Sequence, residues 1–187
     1  MAHVALTAVG ADRPGIVAAV TKVLVERGCN LEDASMAILR GHFAMMLVVD
    51  VPGPAPVEES APGLEAALAP VAESLQLIVT VRPLTQTGHP AGDASTPAGE
   101  SWTVAVYGAD RPGIVHGVAA LMAELGINIV DLTTRVVGGA AEPVYTMLLD
   151  VTVPPDLAEA DLRQRLDDLA ERLAVRCSLH PSDADIL

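Results

Sequence analysis

Apolar and polar positions along the chain follow two alternating regimes, and the same succession runs twice. Residues 3–9 and 102–107 are short apolar runs that end at Gly10 and Gly108, which reads as a strand in each half. Just downstream, Ile16, Val17, Val20, Val23 and Leu24 recur at helical spacing, as do Ile114, Val115, Val118, Leu121, Met122 and Leu125. Gly28 and Gly126 stand where these patterns stop, the usual place for a helix-ending glycine. Residues 30–39 and 128–137 are then predicted to be extended, with hairpin turns at Gly41-His42 and Gly138-Gly139 leading into strands 43–51 and 144–153. A second helix follows in each half, marked in the second by Leu162, Leu166, Leu169 and Leu173. Residues 75–81 and 174–179 supply the last strands.

The repetition extends to identity. Gly10-Ala11-Asp12-Arg13-Pro14-Gly15-Ile16-Val17 recurs unchanged as Gly108-Ala109-Asp110-Arg111-Pro112-Gly113-Ile114-Val115, an offset of 98 (108 − 10). Gly28-Cys29-Asn30-Leu31 and Gly126-Ile127-Asn128-Ile129 match at the same offset. Met46 to Val51 answers Thr146 to Val151 at an offset of 100 (146 − 46), which places two extra residues near Gly138-Gly139. Between the copies, residues 83–100 are rich in Pro, Gly, Ser and Thr and lack apolar periodicity, so they read as a linker containing a solvated His89. The expected domains are 1–82 and 101–182, with 183–187 as a tail.

The order is βαββαβ, twice. It predicts an α+β fold: two tandem ferredoxin-like modules, each an antiparallel sheet with both helices on one face. Phe43 to Val49 is apolar at every position, which predicts a strand buried on both sides and hence packing between repeats, a homodimer, or both.

Composition narrows the function. Apolar residues make up 51% and charged residues 19%, enough for a core and against global disorder. Eleven Lys and Arg against 24 Asp and Glu give a net charge of −13, and the basic residues are scattered. Such a surface repels a phosphate backbone, and 2% aromatics offer no stacking platform for single strands. No apolar stretch is long enough for a membrane span and no basic leader opens the chain, so a cytoplasmic protein is expected. Cys29 and Cys177 lie in no metal or redox motif and read as buried thiols.

The repeated turn joins a strand to a helix, where unpaired N–H groups point outward. Pro14 and Pro112 suit a first helical turn. Asp12 and Asp110 are placed to cap it with the N–H of Gly15 or Gly113 as donor, and Gly10 and Gly108 permit a turn that a Cβ would obstruct. Two readings stand side by side: a well-made helix start, or a cradle for a small carboxylate. Phosphate is a poor fit, because Ile16-Val17 stands where a P-loop needs Lys followed by Ser or Thr. Asn30 and Asn128 offer an amide donor and acceptor for a carboxylate or an ammonium, and also suit the turn after a helix stop.

Gly-Ala-Asp-Arg-Pro-Gly-Ile-Val at a strand–helix turn, followed by Gly-Cys-Asn-Leu or Gly-Ile-Asn-Ile at the helix end, resembles the ACT domain family. These are βαββαβ modules that bind amino acids and regulate metabolic enzymes or transcription. The resemblance covers roughly residues 3–82 and 101–180. It implies a ligand held where modules meet: the turn gives backbone N–H groups to the ligand carboxylate, and the Asn opening the second strand reaches it from a neighbouring module. The site residues so implied are Asp12, Gly15, Ile16 and Asn30, with Asp110, Gly113, Ile114 and Asn128 in the other copy; Asp33 and Asp131 are secondary. The copies diverge where Glu32 faces Val130, Cys29 faces Ile127 and His116 replaces Ala18.

Catalysis needs converging groups with tuned pKa values. His3, His42, His89, His116 and His180 lie in dissimilar settings, no nucleophile elbow occurs, and no cluster has metal spacing. Asp183-Ala184-Asp185 superficially resembles the nucleophile pair of phosphoserine phosphatases, some of which carry tandem ACT modules, yet Leu187 follows at once and no catalytic domain is expected. The reading is a non-enzymatic sensor of a small amino acid, without cofactor or metal, that controls a transcription factor or enzyme by contact. A dedicated regulatory subunit of an amino-acid enzyme and a non-binding oligomerisation module are the alternatives.

Overall fold

The computed structural model describes residues 2–54, 56–84, 99–137 and 144–182. The chain divides into two compact units, residues 1–88 and 89–187. In the first, β1 (Ala2–Ala11), α1 (Ile16–Glu26), β2 (Asn30–Leu39), β3 (His42–Val51), α2 (Val57–Leu75) and β4 (Ile78–Pro83) follow in order. In the second the succession is β5 (Glu100–Gly108), α3 (Ile114–Glu124), β6 (Asn128–Val137), β7 (Val144–Val153), α4 (Glu159–Leu173) and β8 (Val175–Pro181). The sheets run β2-β3-β1-β4 and β6-β7-β5-β8, antiparallel throughout. This is the α+β, twice-repeated ferredoxin-like architecture.

Strand periodicity explains why both helices share one face. Val4, Leu6 and Ala8 of β1 and Phe43, Met45, Leu47 and Val49 of β3 are buried with Ile16, Val20 and Leu24 of α1 and Ala61, Leu64 and Leu68 of α2. Every second strand residue enters that core. The second module repeats the arrangement with Val104, Val106, Met147 and Leu149 under Val118, Met122, Leu162, Leu166 and Leu169. Within the single chain burial alternates along β3: Phe43, Met45, Leu47 and Val49 lie under the helices, and Met46 on the other face is 54% exposed. That second apolar face is the one expected to pack on the other repeat or a second copy.

Local chemistry ends the helices where glycines stand. Gly28 and Gly126 both take φ 68°, the left-handed region. Cys29 N–H donates to the Leu24 carbonyl at 2.9 Å and Gly28 N–H to Val25 at 2.9 Å, and Ile127 and Gly126 repeat the pair on Met122 and Ala123. That is the Schellman closure, which satisfies the last carbonyls of each helix. Pro62 and Pro70 lie inside α2 and interrupt its sequence pattern, which is why its leucines are less legible than those of α4. Leu75, expected in the last strand, ends α2, and the strand begins only at Ile78 after Gln76 turns the chain in the left-handed region at φ 54°.

Two further expectations shift. The first hairpin turns at Arg40-Gly41, both with positive φ (50° and 79°), and His42 already belongs to β3. Gly138-Gly139 lies outside the described residues, as does most of the expected linker, whose ends close β4 at Pro83 and open β5 at Glu100. Phe43 faces Gly10 and Tyr145 faces Gly108, so β7 follows β3 at an offset of 102 (145 − 43), while β6 follows β2 at 98 (128 − 30). The second hairpin is therefore longer by four residues (102 − 98), not two. Two residues is one full strand period, so the mistaken register leaves every side chain on its proper face.

Leu166 is 2% exposed in the same core as Trp102, the single tryptophan of the chain. Leu166→Ala is expected to cost the second module about 2–5 kcal/mol. The measurement is urea unfolding followed by Trp102 fluorescence; an unmoved midpoint contradicts the packing described.

Candidate functional site: the repeated turn and the exposed edge strand

The turn is built by three residues in unlike roles. At its start, Gly10 lies in strand conformation, and a Cβ there would stand 2.7 Å from Leu77 Cδ2 and 3.0 Å from the Gln76 carbonyl; at Gly108 it would stand 2.9 Å from Val175 Cγ1. These glycines allow close approach of the segment entering β4 and of the start of β8, rather than the turn itself. Asp12 N–H then donates to the Gly41 carbonyl at 2.9 Å, tying the turn to the hairpin. At its end, Gly15 and Gly113 take φ 94° and 96° as the residues that cap α1 and α3.

That last observation corrects the expected capping. No side chain caps either helix, so Asp12 and Asp110 are not caps, and Pro14 and Pro112 precede the cap instead of sitting in the first turn. The first helical bonds run from Ala19 N–H to Gly15 (2.9 Å) and from Gly117 N–H to Gly113 (2.8 Å). The N–H groups before them belong to the first turn and have no intrahelical partner. Ile16 and Ile114, which open the two helices, are buried in the core. Asp12 and Asp110 are exposed at the mouth.

Beside the second turn lies an open cleft of about 500 Å³, lined among others by Asp110, Arg111, Ile114, His116 and Tyr145. Tyr145 is 7% exposed, and its hydroxyl donates to the thioether of Met147 at 3.7 Å. Burial raises its pKa, the Asp110 carboxylate raises it further, and a hydrogen bond with Thr134 opposes both. Sequence reasoning missed Tyr145; its counterpart Phe43 shows only in the corrected register.

Asn30 and Asn128 stand at the other end of their sheets. Asn30 faces Asp50, which faces His3, whereas the turn follows Ala11, which faces His42 and through it Leu39. From His3 to Ala11 is eight strand steps, roughly 27 Å. Within one module, then, the fold does not bring the turn and the amide together. Asp33 and Asp131 follow a bulge in each edge strand. Asp33 accepts from the N–H of Ala34 at 2.8 Å, while Asp131 faces Asp150 across the ladder.

The amide end also holds groups that sequence reasoning did not single out. His3 Nδ1 and Glu32 Oε2 lie 3.0 Å apart, bridging from β1 to β2 over β3. Asp50 Oδ1 and Thr152 Oγ1, counterparts in the corrected register, are both buried without a hydrogen-bond partner among the described residues. Nothing in the local sequence signals them, since the pairing depends on strands far apart in the chain.

Cys29 and Cys177 are half-buried free thiols. Burial pushes both thiols up, Cys177 to about 11 with the Asp167 carboxylate adding to the effect. Among the described residues no group of three or more His, Cys, Asp and Glu could hold a metal, and no helix is long and apolar enough to cross a membrane.

Models of the ACT domain match residues 2–82 and 102–167. The glycine cleavage system transcriptional repressor of Escherichia coli strain K12 is 27% identical over 180 residues, covering 95% of this chain and 89% of that protein. A UPF0237 protein of Methanopyrus kandleri is 49% identical over 51 residues, 27% of this chain; the match spans 57% of that shorter relative. Among solved structures, an unknown protein from Galdieria sulphuraria superposes with a TM-score of 0.77 at 26% identity, covering 97% of this chain and 98% of that one. A protein assigned as a glycine cleavage system transcriptional repressor superposes at 0.68 with 22% identity and 96% coverage of each chain, which speaks for the fold.

A protonated native thiol at Cys177 implies slow labelling by a thiol reagent at pH 8, rising only towards pH 11. Because its folded pKa lies above the ordinary 9.0, the linked stabilisation is complete below pH 9 and fades as the pH climbs towards 11. Fast labelling of both cysteines at pH 8 in the folded protein contradicts this burial.

Proposed function

The chain belongs to the ACT domain family, as two ACT domains in tandem, and from that we propose a non-enzymatic regulatory protein that binds a small amino acid. The relation to a transcriptional repressor supports a regulatory role. In our reading it acts in the cytoplasm and controls a transcription factor or metabolic enzyme by contact. Its acidic surface suits a basic patch on that partner.

One observation carries the proposal: the turn and the amide sit at opposite ends of a sheet whose edge strand is open. β2 is exposed at all ten residues, Met36, Ile38 and Leu39 among them. A long apolar edge of this kind is a template for another strand. Antiparallel pairing with the β2 of a second copy sets the Asn30 end of one strand beside the Leu39 end of the other, where the partner's turn lies. The first-turn N–H groups, with Gly15 and Ile16, then take a ligand carboxylate. Asn30 reaches the same ligand from the other side, and Asp12 takes its ammonium. Asp110, Gly113, Ile114 and Asn128 have the same roles on the second module, with Asp33 and Asp131 lining the approach. Such a ligand joins two copies, so its binding shifts which assembly is populated.

Thermal unfolding against each of the twenty amino acids tests this. At about a hundred times its Kd a ligand adds roughly 2.7 kcal/mol, a midpoint rise of roughly 5–10 °C for a chain of this size. Asn30→Ala and Asn128→Ala change exposed residues, so they should shrink the rise and leave the ligand-free midpoint nearly where it was. A flat response to the whole panel overturns the sensor and leaves an oligomerisation module. Affinity capture then separates a free regulator from a dedicated enzyme subunit by what is retained.

A further inference from the structure

The two turns are identical in sequence and differ in what surrounds them. In the first module Arg13 Nη2 donates to Gln76 Oε1 at 2.7 Å, so the guanidinium is held against the left-handed residue that ends α2. Ala174 occupies the matching place after α4, with almost the same backbone (φ 52° against 54°), and has no amide to offer. Arg111 instead lines the 500 Å³ cleft. Two more changes fall on that cleft: His116 stands where the first module has Ala18, and Tyr145 where it has Phe43.

We infer that the second turn is specific for an amino acid with an anionic side chain, the class of aspartate and glutamate. The inference rests on the amino-acid-binding reading above and refines it. Such a ligand carries two carboxylates and one ammonium, and the cleft offers a group for each. First-turn N–H groups of α3 suit the main-chain carboxylate, and Asp110 suits the ammonium. Arg111 presents a planar fork that matches the side-chain carboxylate, with His116 as a further donor. A neutral amide in the same place presents an NH₂ to a cluster of donors and leaves a donor unpaired. The first turn, with its arginine tied to Gln76 and a methyl and a phenyl at the other positions, lacks that preference.

Isothermal titration of the full chain compares L-aspartate and L-glutamate with L-asparagine and L-glutamine. The acids are expected to bind about tenfold or more tightly than their amides. Ala174→Gln supplies the second turn with the tether of the first, on a backbone that already holds Gln76, and should remove most of the preference without lowering the ligand-free melting temperature. Arg111→Gln, on the surface, should do the same from the other partner. Equal binding of acids and amides, or a preference that survives both substitutions, overturns this inference while the sensor reading stands. If no amino acid binds at all, both fall.

Discussion

Register between the two central strands governs each module. With Leu6 opposite Leu47 and Val4 opposite Val49, the alternate residues of both strands meet on one face, where the helices cover them. A slip of one residue would turn Phe43, Met45 and Leu47 outward and put Ala44, Met46 and Val48 under the helices. The same ladder decides where chemistry can occur. It sets Ala11 and the turn at one end of the sheet and Asn30, Asp50 and His3 at the other.

The separation gives the open edge its meaning. A module whose two polar anchors lie roughly 27 Å apart does not hold a small zwitterion alone. The strand connecting those ends is exposed along its whole length among the described residues, and it carries a bulge just past the amide. Under the proposed function, binding and association are coupled through this one strand. Few buried contacts stabilise β2, so the region that would receive a ligand belongs to the weaker part of the fold.

Duplication has kept the backbone device and varied its surroundings. Gly15 and Gly113 hold the same left-handed geometry to within a few degrees, and both helices end in the same closure. Around that frame the second copy exchanges a tethered arginine for one at a cleft, a phenyl for a phenol and a methyl for an imidazole. At the amide end, the half-buried carboxylate of Asp50, with its Oδ1 buried, gives way to the buried hydroxyl of Thr152. The backbone of the turn is preserved, and the side chains around it are where the copies differ.

The repeated turn, the helix stops at Gly28 and Gly126, and the limits of β2 and β6 were legible because each is enforced locally. A left-handed glycine and a helical spacing act within a few residues, and period-two alternation marks a strand wherever it packs. The capping role expected of Asp12 and Asp110 failed because a glycine in the left-handed region serves as the cap without any side chain. Other features lay beyond the sequence. An offset of 100 and the true 102 place the same faces inward, so only the cross-strand pairing separates them. Arg13 meets a residue 63 positions away, and Asn30 lies at the far end of the sheet from the turn because α1 carries the chain back along it before β2 begins. Such contacts are decided by the folded ladder, since composition and spacing encode which face a residue takes but not which partner it meets there.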